Sequence, residues 1–326
     1  MKKILITGSN GLVGSEAVAF FQENTWEVLG VDNNMRSYFF GVEKQVPMVE
    51  LDIRDEKAVN KLFEKEKFDA IIHTAAQPSH DWAKKEPLTD FDVNARATLI
   101  LLEATRMYCP EAVFVHVSTD KVYGENMKRD DLTETDTRYD HDKSYDESTG
   151  LDQSMHSLFG CSKAAADLYA QEYGYYFGIK TGIFRPGCIT GGRHKGAEEH
   201  GFLAYLVKCI KEGKTYRIFG YKGKQVRDQI HAYDLVNAFY HFIQRPKNAA
   251  VYNIGGGRER SVSILEAISL IEKETGKKAI TEYISEERKG DRQWDIHDSS
   301  KFMIDYPNWK YKYSLSDIIS DLCKDK

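Results

Sequence analysis

The chain has 326 residues, 41% hydrophobic and 29% charged, as in an ordinary globular protein with either one large domain or two closely joined ones. Its formal net charge of −5 lacks the basic footprint of a nucleic-acid binder, and no apolar run approaches membrane-spanning length. Cys109, Cys161, Cys188, Cys209 and Cys323 form no Cys-x-x-Cys pair, so buried free thiols in a reducing cytoplasm are expected rather than disulfides or a zinc site. The opening apolar run is too short for a secretion signal, which again points to the cytoplasm.

In chain order, short apolar and β-branched runs at 3–7, 27–31, 46–51, 70–73, 113–118 and 180–184 predict buried parallel strands. Helical patterns fall between them at 12–23, 56–66, 92–107 and 158–177. This alternation predicts an α/β fold, a doubly wound parallel sheet of the Rossmann type, with ligands at the carboxyl ends of its strands. Residues 125–152 carry ten acidic and four Lys/Arg residues and read as a solvated insertion loop, or as a flap or subunit contact. Beyond 186, helices at 201–212, 234–244, 264–275 and 315–323 mix with strands at 216–219, 251–254 and 279–283. The expected division is a dinucleotide-binding domain over 1–185, to which 228–256 returns, and a smaller, interleaved C-terminal substrate-binding lobe over 186–326.

Between the first strand and first helix, Gly8, Gly11 and Gly14 stand three residues apart, with Asn10, Leu12 and Val13 between them. Glycines permit a tight turn and close backbone approach, and a helix N-terminus offers amide donors to a pyrophosphate. Asp32 follows the second strand, where a carboxylate accepts from ribose hydroxyls and repels a 2′-phosphate; this favours NAD over NADP. Arg36 nearby is the residue that could accommodate that phosphate instead. Asp52 and Ile53 after the third strand match an adenine-contacting pair. Ala75, Ala76 and Gln77 after the fourth would line the cofactor, and Asn94 is a structural asparagine beside it. The histidines lack metal-ligand spacing, and no metal is expected.

Beyond these, five stretches carry a resemblance: the glycine loop, residues 118–124 (STDKVYG), the helix with Phe159 and Lys163, residues 185–187 (RPG) and residues 224–234 (KQVRDQIHAYD). Together they resemble the extended short-chain dehydrogenase/reductase family, the nucleotide-sugar epimerases and dehydratases, over almost the whole chain. The resemblance implies that Thr119 bonds the sugar hydroxyl being oxidised and that Lys163 meets the nicotinamide ribose. It places Phe159 where the family has its acid/base tyrosine, four residues before the lysine on the same helix face. Phenylalanine has no proton to give, so the implied enzyme is inactive or strongly impaired, either through a deliberate tyrosine-to-phenylalanine replacement that stops turnover while keeping the shape or through natural loss of turnover, unless Tyr123 or Tyr145 substitutes. A binding-only protein that holds NAD and a nucleotide sugar is the alternative.

Thr119-Asp120-Lys121 has a cation where 4,6-dehydratases carry a catalytic glutamate, which disfavours dehydration. Similarity is greatest to the CDP-paratose 2-epimerase branch, with UDP-sugar 4-epimerase as runner-up. The resemblance also implies that Arg227 and Arg292 clamp a substrate diphosphate, that Arg185 and His80 are substrate-side contacts, and that the chain forms a homodimer, or a tetramer.

Overall fold

Alternation of buried strands and helices builds the first half of the chain. Strands β1 (Lys3–Thr7), β2 (Glu27–Asp32), β3 (Val49–Glu50), β4 (Ala70–His73) and β5 (Val113–Val117) precede a short antiparallel hairpin, β6 (Thr133–Glu134) and β7 (Tyr139–Asp140). After it come β8 (Lys180–Pro186), β9 (Cys188–Thr190), β10 (Thr215–Phe219), β11 (Val226–His231), β12 (Ala250–Ile254), β13 (Ser261–Ser263), β14 (Ile280–Ile284) and β15 (Trp294–Asp295). The structure, a computed structural model, describes residues 1–35, 48–127, 131–151, 153–194, 201–288 and 291–324. Arg36 and the first two residues of the strand expected over 46–51 lie outside the described residues.

The main sheet runs β12-β8-β5-β4-β1-β2-β3, and β1 pairs in parallel with both β2 and β4. Strand order therefore reverses at β1 and β4, where a doubly wound sheet opens a crevice at its carboxyl edge. All four residues of β4 and all five of β5 are buried, as expected of parallel strands covered on both faces. Leu5, Ile71, Phe114 and Ile183 bring those strands into one core with Phe63 and Leu101 from the flanking helices. Each such side chain contributes roughly 1.5–3 kcal/mol on burial. The expected helix over 92–107 is a π-turn at Asp92–Arg96 running into a regular helix at Ala97–Tyr108.

Two compact units emerge. The first comprises 1–122, 156–185 and 235–252; the second comprises 123–155, 186–234 and 253–326. The sequence expectation differs at two places. Segment 123–155 groups with the second unit, because Lys224 pairs with Glu134 at 2.8 Å and Arg258 pairs with Asp140 at 2.8 Å. The described part of the 125–152 stretch is largely exposed, as the solvated reading expects, and contains a hairpin tethered by these surface ion pairs; residues 128–130 and 152 are outside the described set. Strand β11 also belongs to the second unit, where it pairs with β13, β15 and β9. Only 235–252 returns to the first unit, and there the Phe242 ring lies so close to β8 that a Cβ at Gly182 would meet it at 2.5 Å.

The second unit has its own core of Leu206, Ile210, Ile218, Ile264, Ile271 and Ile318. Its helices Ile264–Thr275 and Leu315–Cys323 each begin with a capping box, Ser263 with Glu266 and Ser314 with Asp317. The cysteines are free thiols, though only Cys109 and Cys209 are buried and Cys161 is exposed. Among the described residues, no helix is long and apolar enough to cross a membrane.

Candidate active site

The glycine loop is shaped by clashes that only glycine avoids. Gly8 has φ +70°, and a Cβ there would lie 2.7 Å from the Ala75 backbone. A Cβ on Gly14 would lie 2.0 Å from the Gly8 carbonyl oxygen, so the loop and the Leu12–Glu23 helix close on each other. Gly8 and Ser9 both donate their amides to the Val31 carbonyl, which pins the loop to β2. The helix cap, Gly11, provides no side-chain cap, and Leu12 and Val13 form the first turn with their amides at the helix entrance.

Asp32 accepts from the amides of Asn10 (3.0 Å) and Asn34 (2.9 Å), which sets its carboxylate at the mouth of the loop. Asn10 Oδ1 is buried without a partner among the described residues, an acceptor left for a ligand. These features fit an adenine dinucleotide: amides and a helix start for the pyrophosphate, and Asp32 for the ribose. Beside them, Asp52 is held by Arg54 in a bidentate pair, which depresses its carboxyl to about 2, and Ile53 is buried. Ala75 is half-buried against the loop and Ala76 exposed.

Gln77 and Asn94 form a closed amide network. The Gln77 amide donates to Asn94 Oδ1 at 2.9 Å, and Asn94 Nδ2 returns to the Gln77 carbonyl, to Asp90 and to Ser162 Oγ at 3.1 Å. This network fixes the strand-end turn after β4 against the Ser157–Phe177 helix. The structure thus gives both residues a framework role at the cofactor edge.

On that helix, Phe159 is 8% exposed and its ring meets the His80 ring edge-on at 5.1 Å. His80 in turn has Nδ1 3.0 Å from Ser157 Oγ. Lys163, four residues on, is buried and donates from Nζ to the Val117 carbonyl at 2.6 Å. Burial pushes its ammonium down to about 8, against the pull of Asp167 and Asp90. His73 is buried between the Thr7 and Thr98 hydroxyls, and burial lowers it to about 3, so it stays neutral beneath the lysine.

Thr119 stands at the carboxyl edge of β5. Its Oγ1 donates to Asp120 Oδ1 at 3.0 Å and accepts from the Lys121 amide at 3.3 Å. Asp120 is buried, and its other oxygen lies 3.2 Å from Lys121 Nζ. A Cβ on Gly160 would meet the Lys121 carbonyl at 2.9 Å, so the helix with Phe159 passes tightly over this turn. Within the first unit, then, Thr119, Asp120, Lys121, Phe159, Lys163 and His80 are all fixed by local bonds or packing.

Arg185 is occupied. It grips Asp167 through Nε at 2.9 Å and Nη2 at 2.7 Å, while Ser118 Oγ donates to the same carboxylate at 2.6 Å. This buried pair ties Arg185 to the Ser157–Phe177 helix. In the second unit, Arg227 bonds the Asp291 carboxylate and the carbonyls of Val226 and Arg292. Arg292 donates to Asp295 at 3.0 Å and to the Gly124 carbonyl at 3.1 Å. Both are buried and joined through the Arg292 backbone, each with a carboxylate of its own.

Two residues not expected as site members stand out there. Asp228 Oδ1 lies 3.0 Å from His297 Nδ1, both fully buried. Gly187 and Gly255 make room for them: an added Cβ would fall 2.4 Å and 2.2 Å from the Asp228 oxygens. The sequence signal was the aspartate inside the 224–234 stretch; His297 sits in no motif. Tyr123, considered as a substitute phenol, is buried in this unit and donates to Asn253 Oδ1 at 2.7 Å.

The NAD dependent epimerase/dehydratase family matches residues 4–255. The chain belongs to that family. NAD is its cofactor, in keeping with the fit of the glycine loop. The chain is 35% identical over 286 residues to the CDP-paratose 2-epimerase of Salmonella typhi, covering 83% of each. It is 27% identical to dTDP-glucose 4,6-dehydratase 1 of Escherichia coli K12, over 90% of this chain and 84% of that one. Among solved structures, the UDP-glucose 4-epimerase of Thermotoga maritima superposes with a TM-score of 0.82 at 27% identity, covering 98% of this chain and 97% of that one. The family and these relatives make the chain a member of the nucleotide-sugar epimerase and dehydratase group.

Proposed function

We propose that this chain is a nucleotide-sugar epimerase of the CDP-paratose 2-epimerase type, strongly impaired because Phe159 stands in the acid/base position. The observation that carries the reading is Lys121. Its ammonium pairs with Asp120 at 3.2 Å in the place where a dehydratase would have a carboxylate base, so the turn after β5 has no glutamate for elimination. The identity to CDP-paratose 2-epimerase, higher than to the 4,6-dehydratases, supports the same branch.

Bound NAD would supply a reversible hydride acceptor, and no net oxidant is consumed. Thr119 would align the sugar hydroxyl, and Lys163 would hold the nicotinamide ribose and lend positive charge. The Gly8–Gly14 loop, with Asn10, would take the pyrophosphate; Asp32 would take the adenosine ribose; Asp52 and Ile53 would flank the adenine. Arg227 and Arg292 would receive the substrate diphosphate, with His80 beside the sugar. Leu158, Leu168, Tyr169 and Tyr175 lie exposed on the Ser157–Phe177 helix, and Met107 on its neighbour, which supports a homodimer through that helix pair.

The test compares the native chain with Phe159→Tyr on CDP-paratose, following C2 configuration by proton NMR. Inversion by the tyrosine form, with the native chain far slower, supports the reading. No inversion by either, with NAD bound, moves the reading to a UDP-sugar 4-epimerase, which the structural likeness to the Thermotoga enzyme favours, or to a binding-only protein.

A further inference from the structure

The turn after β5 contains a string of hydrogen bonds that reaches a buried carboxylate. Thr119 donates its only hydroxyl hydrogen to Asp120 Oδ1, and one of its two lone pairs is taken by the Lys121 amide. What remains on Thr119 Oγ1 is one acceptor position. A sugar hydroxyl meeting it can only donate, so the polarity of the string leads from sugar to Asp120. The carboxylate is 6% exposed and fixed at its second oxygen by Lys121 Nζ, 3.2 Å away.

We propose that Asp120, reached through Thr119, stores the substrate hydroxyl proton while the sugar is a ketone, in place of the phenol missing at 159. This rests on the reading above that Thr119 meets the hydroxyl being oxidised. In the first half-reaction the sugar C–H bond breaks and its hydride passes to the oxidised nicotinamide. The O–H bond breaks as its proton moves to Thr119 Oγ1, and the threonine proton moves to Asp120 Oδ1. The C–O single bond becomes a carbonyl. In the second half-reaction the hydride returns to the opposite face, and both protons retrace their steps. No proton has to reach solvent, because an epimerisation gives back what it removes; one carboxylate suffices as a store. Asp120 thus acts through Thr119, and Lys121 is a positioning residue that orients the carboxylate before the first transfer.

Position 121, next to Asp120, is a lysine and not a glutamate, and a store needs no second base there, which is consistent with a store rather than an elimination.

The experiment measures C2 inversion of CDP-paratose by the native chain, Asp120→Asn, Phe159→Tyr and the double variant. The native chain is expected to show a slow rate that Asp120→Asn lowers by about 100-fold, the scale of general acid–base catalysis. The same change in the Phe159→Tyr background should cost far less, because the phenol then carries the proton. An undetectable native rate, an unaffected one, or an equal loss in both backgrounds overturns the proposal. If Phe159→Tyr is itself inactive on CDP-paratose, the substrate reading fails, and infrared spectra of the NAD-free protein decide the inference alone. There the carboxylate band assigned by Asp120→Asn should shift in both Thr119→Val and Lys121→Met; a band that moves in neither shows that the string is not connected.

Discussion

In the first unit, the groups proposed to meet a dinucleotide are backbone amides and one buried lysine that donates to a backbone carbonyl. In the second, the groups suited to a diphosphate are arginines, and each carries its own carboxylate, Asp291 for Arg227 and Asp295 for Arg292. The difference is one of charge state. An amine that burial makes easy to deprotonate can tune a neighbouring proton, whereas a guanidinium stays charged and can be stored in the interior only beside an anion. On the proposed function, the first arrangement serves chemistry and the second recognition, where a diphosphate would compete for donors that already have partners.

The largest effect should come from restoring the phenol. Phe159→Tyr is expected to raise turnover by about 10²- to 10⁴-fold, read as C2 inversion of CDP-paratose. An increase of only a few fold would mean that the first unit's lysine never depended on a phenol, and the contrast between the units would lose its chemical half. Next is Arg185→Met. It leaves Asp167 as a buried carboxylate held only by Ser118 and Gln171 side chains, at a cost of about 3–5 kcal/mol in urea unfolding. Unchanged stability with weakened nucleotide binding would instead make Arg185 a recognition arginine inside the first unit.

Lys163 gives a pH test of the same contrast. Its folded pKa, about 8, lies below the unfolded value near 10.5, so between these pH values the unfolded chain holds the proton more firmly. The cost of burying the ammonium is complete below pH 8 and is relieved as pH rises towards 10.5. In urea unfolding without NAD, the native chain should therefore gain up to about 3 kcal/mol over Lys163→Met across that window. A difference between the two that does not vary with pH would show that the lysine is not desolvated as its burial indicates.

The sheet, the glycine loop and the Phe159–Lys163 helix were legible because parallel strands are apolar runs and because a glycine loop has a fixed spacing. Strand β11 was not. Its six residues, Val226 to His231, are all buried, yet four are polar or charged, and apolar periodicity has no means of marking a strand stabilised by ion pairs. For the same reason the acidic 125–152 stretch read as solvated, although Glu134 and Asp140 bind lysine and arginine from distant sequence. Arg185 shows the converse limit: its motif suggests a substrate contact, and only geometry reveals that one edge of the guanidinium, Nε and Nη2, binds Asp167. The hydroxyl-to-carboxylate string at Thr119 and Asp120 was written in adjacent letters, but its polarity is a matter of angle and distance.

The smallest expected effect concerns Asp52, where the first unit does contain an exposed version of the second unit's device. Its carboxylate is bidentate to Arg54, and that bond lowers it to about 2, with Asn33 Nδ2 adding a further donor. A depressed carboxyl adds stability above its unfolded value, near 3.8, and loses it as pH falls towards 2. The pair is about a third exposed, at 32% and 33%, so solvent screening limits its worth to about 1 kcal/mol. Asp52→Asn should therefore be about that much less stable than the native chain at pH 5 and equal to it near pH 2. NAD affinity, measured by calorimetry at neutral pH, separates two functions of the same carboxylate. If Asp52 only braces the turn after β3, affinity follows the stability change and shifts little. If the carboxylate also receives the adenine, affinity falls by more than tenfold while the acid-unfolding difference stays at about 1 kcal/mol, and the exposed ion pair then takes the recognition role proposed for the buried ones in the second unit.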